Sequence, residues 1–200
     1  SGMRDELAGE VQFLFQPAEE GAPPGEEGGA KLMLKEGVFE KKPAAVFGLH
    51  VVPRFAAGEI GLRSGGAMAG SDRLHIVVHG RQTHAAYPWL GVDSVAVASQ
   101  IVMALQRIPN RRVDARIPAI VSIGAIHGGV RHNIIPEQVE LSGTIRSLDP
   151  ELAEDVRAKV TETAEKIAEA EGARADVEIH IGYPVTVNDP ELTRWARPVL

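Results

Sequence analysis

Gln16-Pro17-Ala18-Glu19-Glu20-Gly21 lies at the centre of the first predicted structural unit of this chain. It follows a short apolar run rich in β-formers, residues 11–15, and precedes a loop rich in glycine and proline. Good helix formers then occupy residues 30–36, and a second apolar run, residues 44–49, ends at His50. This pattern predicts a β-loop-α-β unit.

Three polar side chains follow the two predicted strands, namely Glu19, Glu20 and His50. A helical crossover makes such strands parallel neighbours, so their carboxyl ends meet at one edge of a sheet. There, one carboxylate can bind a cation while its neighbour reaches a water molecule, as metal-assisted hydrolysis requires. A solvated acidic loop explains the two carboxylates equally well, and a lone histidine at a strand end is more often structural.

Residues 71 to 183 show strand and helix patterns in the order β-α-β-β-α-β. Asp93 is a suitable N-cap for the first helix, and Pro150 suits the first turn of the second. Half-buried strands are predicted where apolar and polar residues alternate, and a strand covered on both faces is predicted where they do not. The alternating runs are 72–79, 138–145 and 175–181, and the apolar run is 119–126. The order is that of the ferredoxin-like split motif.

The remaining segments are predicted with less regular structure. Residues 59–62 are expected to form one short strand, and residues 64–70 a linker to the ferredoxin-like unit. Asn188-Asp189-Pro190 favours a turn before an amphipathic helix that begins near Glu191.

Composition narrows the classes of function. A formal charge of -6 and a pI near 5.7 argue against a nucleic-acid binder, because no basic stripe is available to neutralise phosphates. The absence of cysteine excludes disulfides and thiolate chemistry from these residues. No apolar run approaches the roughly 20 residues of a membrane span. Residues 1–9 are polar and lack an apolar centre, so they are not expected to be a signal peptide. We therefore expect a cytoplasmic protein without a membrane partner.

Several motifs occur in the order that is typical of one enzyme family. They are Phe15-Gln16-Pro17-Ala18-Glu19-Glu20-Gly21, Gly48-Leu49-His50, Gly80-Arg81-Gln82-Thr83-His84-Ala85-Ala86-Tyr87-Pro88-Trp89, Asn133-Ile134-Ile135-Pro136 and Gly143-Thr144-Ile145-Arg146-Ser147. With these motifs the chain resembles the aminoacylase/hippurate-hydrolase family of metal-dependent amidohydrolases. The resemblance implies an α/β catalytic domain with an inserted ferredoxin-like domain that serves as a lid and dimerisation domain. Residues 1–69 would be part of the catalytic domain, 70–184 the lid, and 185–200 the return to the catalytic domain.

The resemblance also implies roles around a metal centre. Glu19 would be the general base, and Glu20 and His50 would be metal ligands. Similar enzymes hold two divalent ions, zinc or manganese, with further ligands upstream and downstream that these residues do not contain. The expected site is therefore incomplete, and the chain is interpreted as an internal, inactive portion of such an enzyme.

Three further residues are candidates by the same resemblance. His84 would stabilise the oxyanion, often in the active site of the partner subunit, whereas Asn133 and Arg146 would bind the carboxylate of the substrate. The alternatives are a surface loop histidine, an asparagine bonded to turn backbone, and an arginine paired with a surface acid. Many relatives have Gly-Gly where this chain has Gln82-Thr83, so the choice of substrate stays open.

Two hypotheses of function result. The first is metal-dependent hydrolysis of the amide bond of N-acyl amino acids or short peptides. The second is a non-catalytic dimerisation or binding module of ferredoxin-like fold. Both include a homodimer, because the apolar strand 119–126 would lie at a sheet edge.

Overall fold

The structure, a computed structural model, describes residues 6–19, 22–23 and 25–200. The chain forms two compact units, one that ends at Ala56 and one that begins at Ala57. The domain boundaries inferred above, 1–69, 70–184 and 185–200, stay a prediction. In the described residues, no helix is long and apolar enough to cross a bilayer.

In the first unit, the predicted helix is present and the predicted strands are not. Helix α1 spans Gly29–Lys35 and ends where Gly37 adopts a φ of 83°. Neither apolar run, 11–15 or 44–49, forms a strand, so the prediction of a β-loop-α-β unit is wrong for the described residues. The physical reason is that a strand needs a paired neighbour, and Phe15 and Leu49, each 87% exposed, have no neighbouring strand to cover them.

The second unit contains the ferredoxin-like motif. Strands β1 to β8 span Gly65–Met68, Gly70–His79, Thr83–His84, Ala119–Gly128, Ile134–Ile135, Gln138–Ser147, Arg174–His180 and Thr186–Asn188. Helices α2 to α5 span Ser94–Leu105, Ile108–Arg111, Pro150–Ala170 and Pro190–Ala196. Asp93 caps α2 and Asp149 caps α4, each through its side-chain carboxylate, and Pro150 begins α4 as expected.

The main sheet has the strand order β4-β6-β2-β7, and all its pairs are antiparallel. This order confirms the ferredoxin-like prediction. Buried side chains alternate along β2 and β6 and pack against α2 and α4 on one face of the sheet. Fully buried members of this core include Leu74, Ile76, Ile101, Leu141 and Val160. The other face carries mostly polar side chains, and it includes Arg146.

Two small pairings complete the second unit. Strand β1 pairs with β8, so residues 65–68 form a strand where a linker was predicted, and the short strand predicted at 59–62 is absent. Sequence alone missed β1 because Gly65 and Gly66 are typical loop residues, and because the partner strand lies about 120 residues away. Strand β3 pairs with β5, and this pairing positions the candidate site described next.

Candidate active site

Glu19 lies in an exposed turn with a constrained backbone. Pro17 O accepts a hydrogen bond from Gly29 N at 2.8 Å, which closes the loop onto the start of α1. Ala18 has a φ of 49°, a left-handed conformation that costs a non-glycine residue on the order of 1 kcal/mol. A side chain at Gly28 would lie 2.8 Å from the Cβ of Ala18, so the turn has no space for a larger residue there. The turn therefore presents Glu19 to solvent on a defined backbone.

The metal ligands predicted from the sequence are only partly described. His50 is exposed in the same unit as Glu19, and Glu20 lies outside the described residues. Carboxylate and imidazole donors suit a divalent cation such as zinc or manganese. Among the described residues, no three histidine or acidic side chains come together as a metal site would require. The donor chemistry fits a metal, but the described donors alone do not complete a site.

The second unit brings His84 and Asn133 together. His84 of β3 lies opposite Ile134 of β5 in the strand register. Next to this pair, Ala85 N donates a hydrogen bond to Asn133 O at 3.0 Å. His84 is exposed and Asn133 is half-buried. Their motifs are about 50 residues apart in the sequence, so only the strand pairing makes them neighbours.

A backbone hydrogen bond defines the proton position on the His84 ring. Ala86 N lies 3.1 Å from His84 Nδ1, and an amide N–H can only donate, so Nδ1 accepts. In the neutral imidazole the proton therefore lies on Nε2, where it can be donated to a ligand. Sequence reasoning missed this role of Ala86, because any residue except proline supplies the same N–H. In its neutral form the ring can therefore act as a hydrogen-bond donor through Nε2.

Arg146 lies far from His84 and Asn133 within one chain. It is on β6 opposite Ser71 of β2, at the end of the sheet remote from β5. From Gln138 to Arg146 the strand advances by eight residue steps, or about 26 Å at roughly 3.3 Å per step. Arg146 is exposed, and among the residues that the structure describes its guanidinium has no hydrogen-bond or ion-pair partner. The alternative of a surface arginine paired with an acid is therefore not observed.

The chain is similar to a known protein family and to known proteins named as a deacetylase and a carboxypeptidase. Residues 67–172 match the family model described as the peptidase dimerisation domain. Over 194 residues the chain is 37% identical to N-acetyl-L-cysteine deacetylase of Bacillus subtilis, covering 97% of this chain and 45% of the relative. Over 202 residues it is 38% identical to thermostable carboxypeptidase 2 of Saccharolobus solfataricus, covering 98% and 49%.

A solved structure agrees with this grouping. A Bacillus subtilis protein, described as a dinuclear metal binding peptidase from the M20 family, has a TM-score of 0.77 and 34% identity to this chain. The match covers 98% of this chain and 48% of that one. The chain therefore belongs to the M20 family of amidohydrolases and peptidases, which confirms the resemblance inferred from its motifs. It spans about half the length of the curated relatives it matches.

Proposed function

We propose that the protein hydrolyses the amide bond of N-acyl amino acids or short peptides with the help of a divalent metal. The metal would be held by Glu20, His50 and further ligands that these residues do not contain. It would lower the pKa of the attacking water. Zinc and manganese are the candidates, with two ions in a complete site. The substrate classes are those suggested by relatives named as a deacetylase and a carboxypeptidase.

The chain's own residues would perform the proton transfers and the binding. Glu19 would take the proton of the attacking water and deliver it to the leaving amine as the C–N bond breaks. His84 would donate its Nε2 proton in a hydrogen bond to the carbonyl oxygen, where negative charge develops. Asn133 and Arg146 would bind the substrate carboxylate, the latter with the planar fork of its guanidinium.

One observation carries this proposal, namely the hydrogen bond from Ala86 N to His84 Nδ1. A surface-loop histidine without a catalytic role does not need one particular tautomer. An oxyanion donor does, since an Nε2 that lacked its proton would repel the developing charge. The partial exposure of Asn133 beside it leaves a polar amide within reach of the same ligand.

We also propose a homodimer in which His84 and Asn133 of one subunit act with Arg146 of the other. Along β6, Arg146 lies about 26 Å from Gln138, which is at the end of the strand near β5. One small substrate cannot bridge this distance within a single chain. A pocket that contains all three residues therefore needs two copies of the lid. The match to a dimerisation domain supports this arrangement. A cytoplasmic location stays a prediction.

Calorimetric titration of Zn²⁺ and Mn²⁺ into the 200-residue chain tests the metal assignment. Binding that is lost in both Glu20→Ala and His50→Ala, and kept in His180→Ala, is the expected result. His180 is a matched control because it is an exposed histidine on β7 that pairs with Glu178 instead. Binding that survives both substitutions would refute the ligand assignment.

Hydrolysis is tested in the full-length product of the gene. We expect a metal-dependent release of amino acid from N-acyl amino acids and a loss of about 10²- to 10³-fold in kcat for His84→Phe. Dimers that bind metal but cleave no N-acyl amino acid or peptide would favour the second hypothesis, a dimerisation or binding module.

A further inference from the structure

The polar face of the main sheet carries two arginines and two hydroxyl side chains at adjacent positions. In the strand register, Ser71 lies opposite Arg146, and Arg73 lies opposite Thr144. Residues that lie opposite each other in a sheet point to the same face, and so do residues two positions apart along one strand. The four side chains therefore form a square, called here the arginine square, with the two guanidiniums on one diagonal.

The positive charges of the square are not compensated by the protein. Arg73 and Arg146 are both exposed, and among the described residues neither guanidinium has a hydrogen-bond or ion-pair partner. Diagonal neighbours in a sheet are about 7–8 Å apart, so the two charges repel each other unless a shared anion compensates them. The chain has a formal net charge of -6 and thus an excess of acidic side chains, yet no described one pairs with this square.

The acidic side chains nearest to the square have other partners. Asp72 is 6% exposed and points to the helix-covered face of the sheet, where it pairs with Arg157 of α4. Glu178 is on the polar face, but its carboxylate lies 3.1 Å from the ring of His180. The square therefore has no acidic member that would repel an anion.

A cavity of about 470 Å³ lies over one side of the square. Its lining includes Ser71, Arg73, Thr144 and His180. Thr144 Oγ1 donates its proton to Asp72 O at 3.0 Å, so this side chain is a fixed part of the wall. The hydroxyl of Ser71 has no hydrogen-bond partner among the described residues and can donate to a ligand. The cavity thus has space and free donors for an anion of several atoms.

From this geometry we propose that the arginine square binds a phosphate dianion, either inorganic phosphate or the phosphate group of a monoester. A guanidinium can donate two parallel hydrogen bonds to one pair of oxygens. A carboxylate has a single charge and two oxygens, so it would leave one arginine uncompensated. A phosphate dianion has two charges and at least three acceptor oxygens, which suits both arginines and the Ser71 hydroxyl.

The inference goes beyond the proposed function, because it adds a ligand that is not a substrate. Arg146 is also the residue proposed for the substrate carboxylate. A bound phosphate would therefore exclude that carboxylate from Arg146, whereas Arg73 belongs to the phosphate site alone.

Calorimetric titration of inorganic phosphate and of glycerol 3-phosphate into the 200-residue chain tests the inference. A metal-free buffer at about pH 8 keeps the phosphate groups dianionic and prevents binding through a cation. We expect one phosphate per chain, and the compound that binds more tightly identifies the source of the phosphate group. Arg73→Ala and Arg146→Ala should each weaken binding about 10- to 100-fold, the scale of one lost charge-assisted hydrogen bond.

Arg174→Ala is the matched control for Arg73→Ala. Arg174 is exposed on the same face at the other end of the sheet, where it pairs with Asp176. Both substitutions remove one positive charge from the chain, so a purely long-range electrostatic effect would weaken binding equally in both variants. We expect Arg174→Ala to keep the wild-type affinity. Both variants should keep the wild-type urea midpoint, because the substituted side chains are exposed.

Three outcomes would overturn the inference. One is that neither phosphate compound binds, and another is an equal loss of affinity in Arg73→Ala and Arg174→Ala. The third is that succinate or acetate binds as tightly as phosphate, which would assign the square to a carboxylate ligand. None of these measurements depends on amide hydrolysis, so a failure of this inference is distinguishable from a failure of the proposed function.

Discussion

The chemistry proposed for His84 depends on one proton. Ala86 N donates to Nδ1, so the neutral ring should carry its proton on Nε2. Nitrogen-15 NMR of the 200-residue chain measures this directly at about pH 8.5, roughly two units above the ordinary histidine pKa of about 6.5. We expect an unprotonated Nδ1 at His84. His127 is exposed on β4, and its ring has no hydrogen-bond partner among the described residues, so it should show both tautomers. A protonated Nδ1 at His84 would contradict the proposed role.

A second residue-scale prediction concerns the buried ion pair that ties the sheet to α4. Asp72 Oδ2 accepts from Arg157 Nη1 at 2.8 Å, and Asp72 Oδ1 accepts from Gly182 N at 3.3 Å. Asp72 is only 6% exposed, so Asp72→Ala leaves a largely desolvated guanidinium without its partner. We expect a loss of about 3 kcal/mol in the free energy of unfolding, measured with urea.

The control for this variant is an ion pair in full contact with water. Lys166 donates to Glu169 and lowers the pKa of that carboxyl, but both side chains are exposed. Glu169→Ala should therefore leave the urea midpoint unchanged, because solvent already screens the pair. Equal midpoints for the Asp72 and Glu169 variants would show that the buried pair does not stabilise the second unit.

At the scale of elements, the two edges of the main sheet differ in a way that indicates where a second copy pairs. Strand β7 carries charged or ionisable side chains at alternate positions, Arg174, Asp176, Glu178 and His180, and such side chains oppose edge-to-edge pairing. Strand β4 has no charged residue from Ala119 to Ile126 and exposes Ile120 and Ile126 by 51% and 55%. We therefore expect β4 to be the dimer edge.

Lysine at the two exposed isoleucines tests this edge. Ile120→Lys/Ile126→Lys should convert a dimer into a 21.4-kDa monomer in light scattering, because like charges would face each other across the pairing strands. Glu178→Lys on β7 is the control and should remain dimeric. A monomeric wild type would refute the homodimer, and a dimeric double-lysine variant would assign it to another surface.

Two glycines at the pairing of β4 with β6 give a matched prediction of stability. A Cβ at Gly143 would lie 2.3 Å from Ser122 O, so Gly143→Ala must push the strands apart. A Cβ at Gly124, where the register of β4 shifts, would find its nearest neighbour at 4.0 Å. Urea unfolding should show a loss of about 1–3 kcal/mol for Gly143→Ala and a change within about 0.5 kcal/mol for Gly124→Ala. A loss for Gly143→Ala as small as that for Gly124→Ala would show that β4 can shift away from Gly143 at little cost in free energy.

At the scale of the whole molecule, the distance between Arg146 and His84 predicts complementation between subunits. His84→Phe and Arg146→Ala dimers should each be inactive. If the pocket takes His84 from one subunit and Arg146 from the other, mixed dimers contain one intact site. Random exchange of equal amounts should restore about a quarter of wild-type activity in the full-length gene product. No recovery, with subunit exchange verified by mass spectrometry, would contradict a shared pocket.

Most of the second unit could be predicted from residue patterns. Alternation in β2, β6 and β7 and the caps Asp93 and Asp149 are local features, so they are visible without the fold. For residues 11–15 and 44–49, the local residue pattern was not sufficient to predict whether a strand forms. Apolar β-formers favour a strand, but pairing also requires a neighbour, and neither run has one in the described residues.

By itself the sequence determined the family, the ferredoxin-like order and the candidate site residues. Short motifs and the alternation of apolar and polar residues are local features, so they can be recognised without the fold. Only the tertiary structure decided that His84 adjoins Asn133 and that Arg146 lies a strand's length away. It also showed that Ala86 orients the imidazole and that Tyr87 and Trp89 stand beside it. These relations depend on strand pairing between distant segments and on a backbone N–H that most residues share, and neither leaves a trace in residue type.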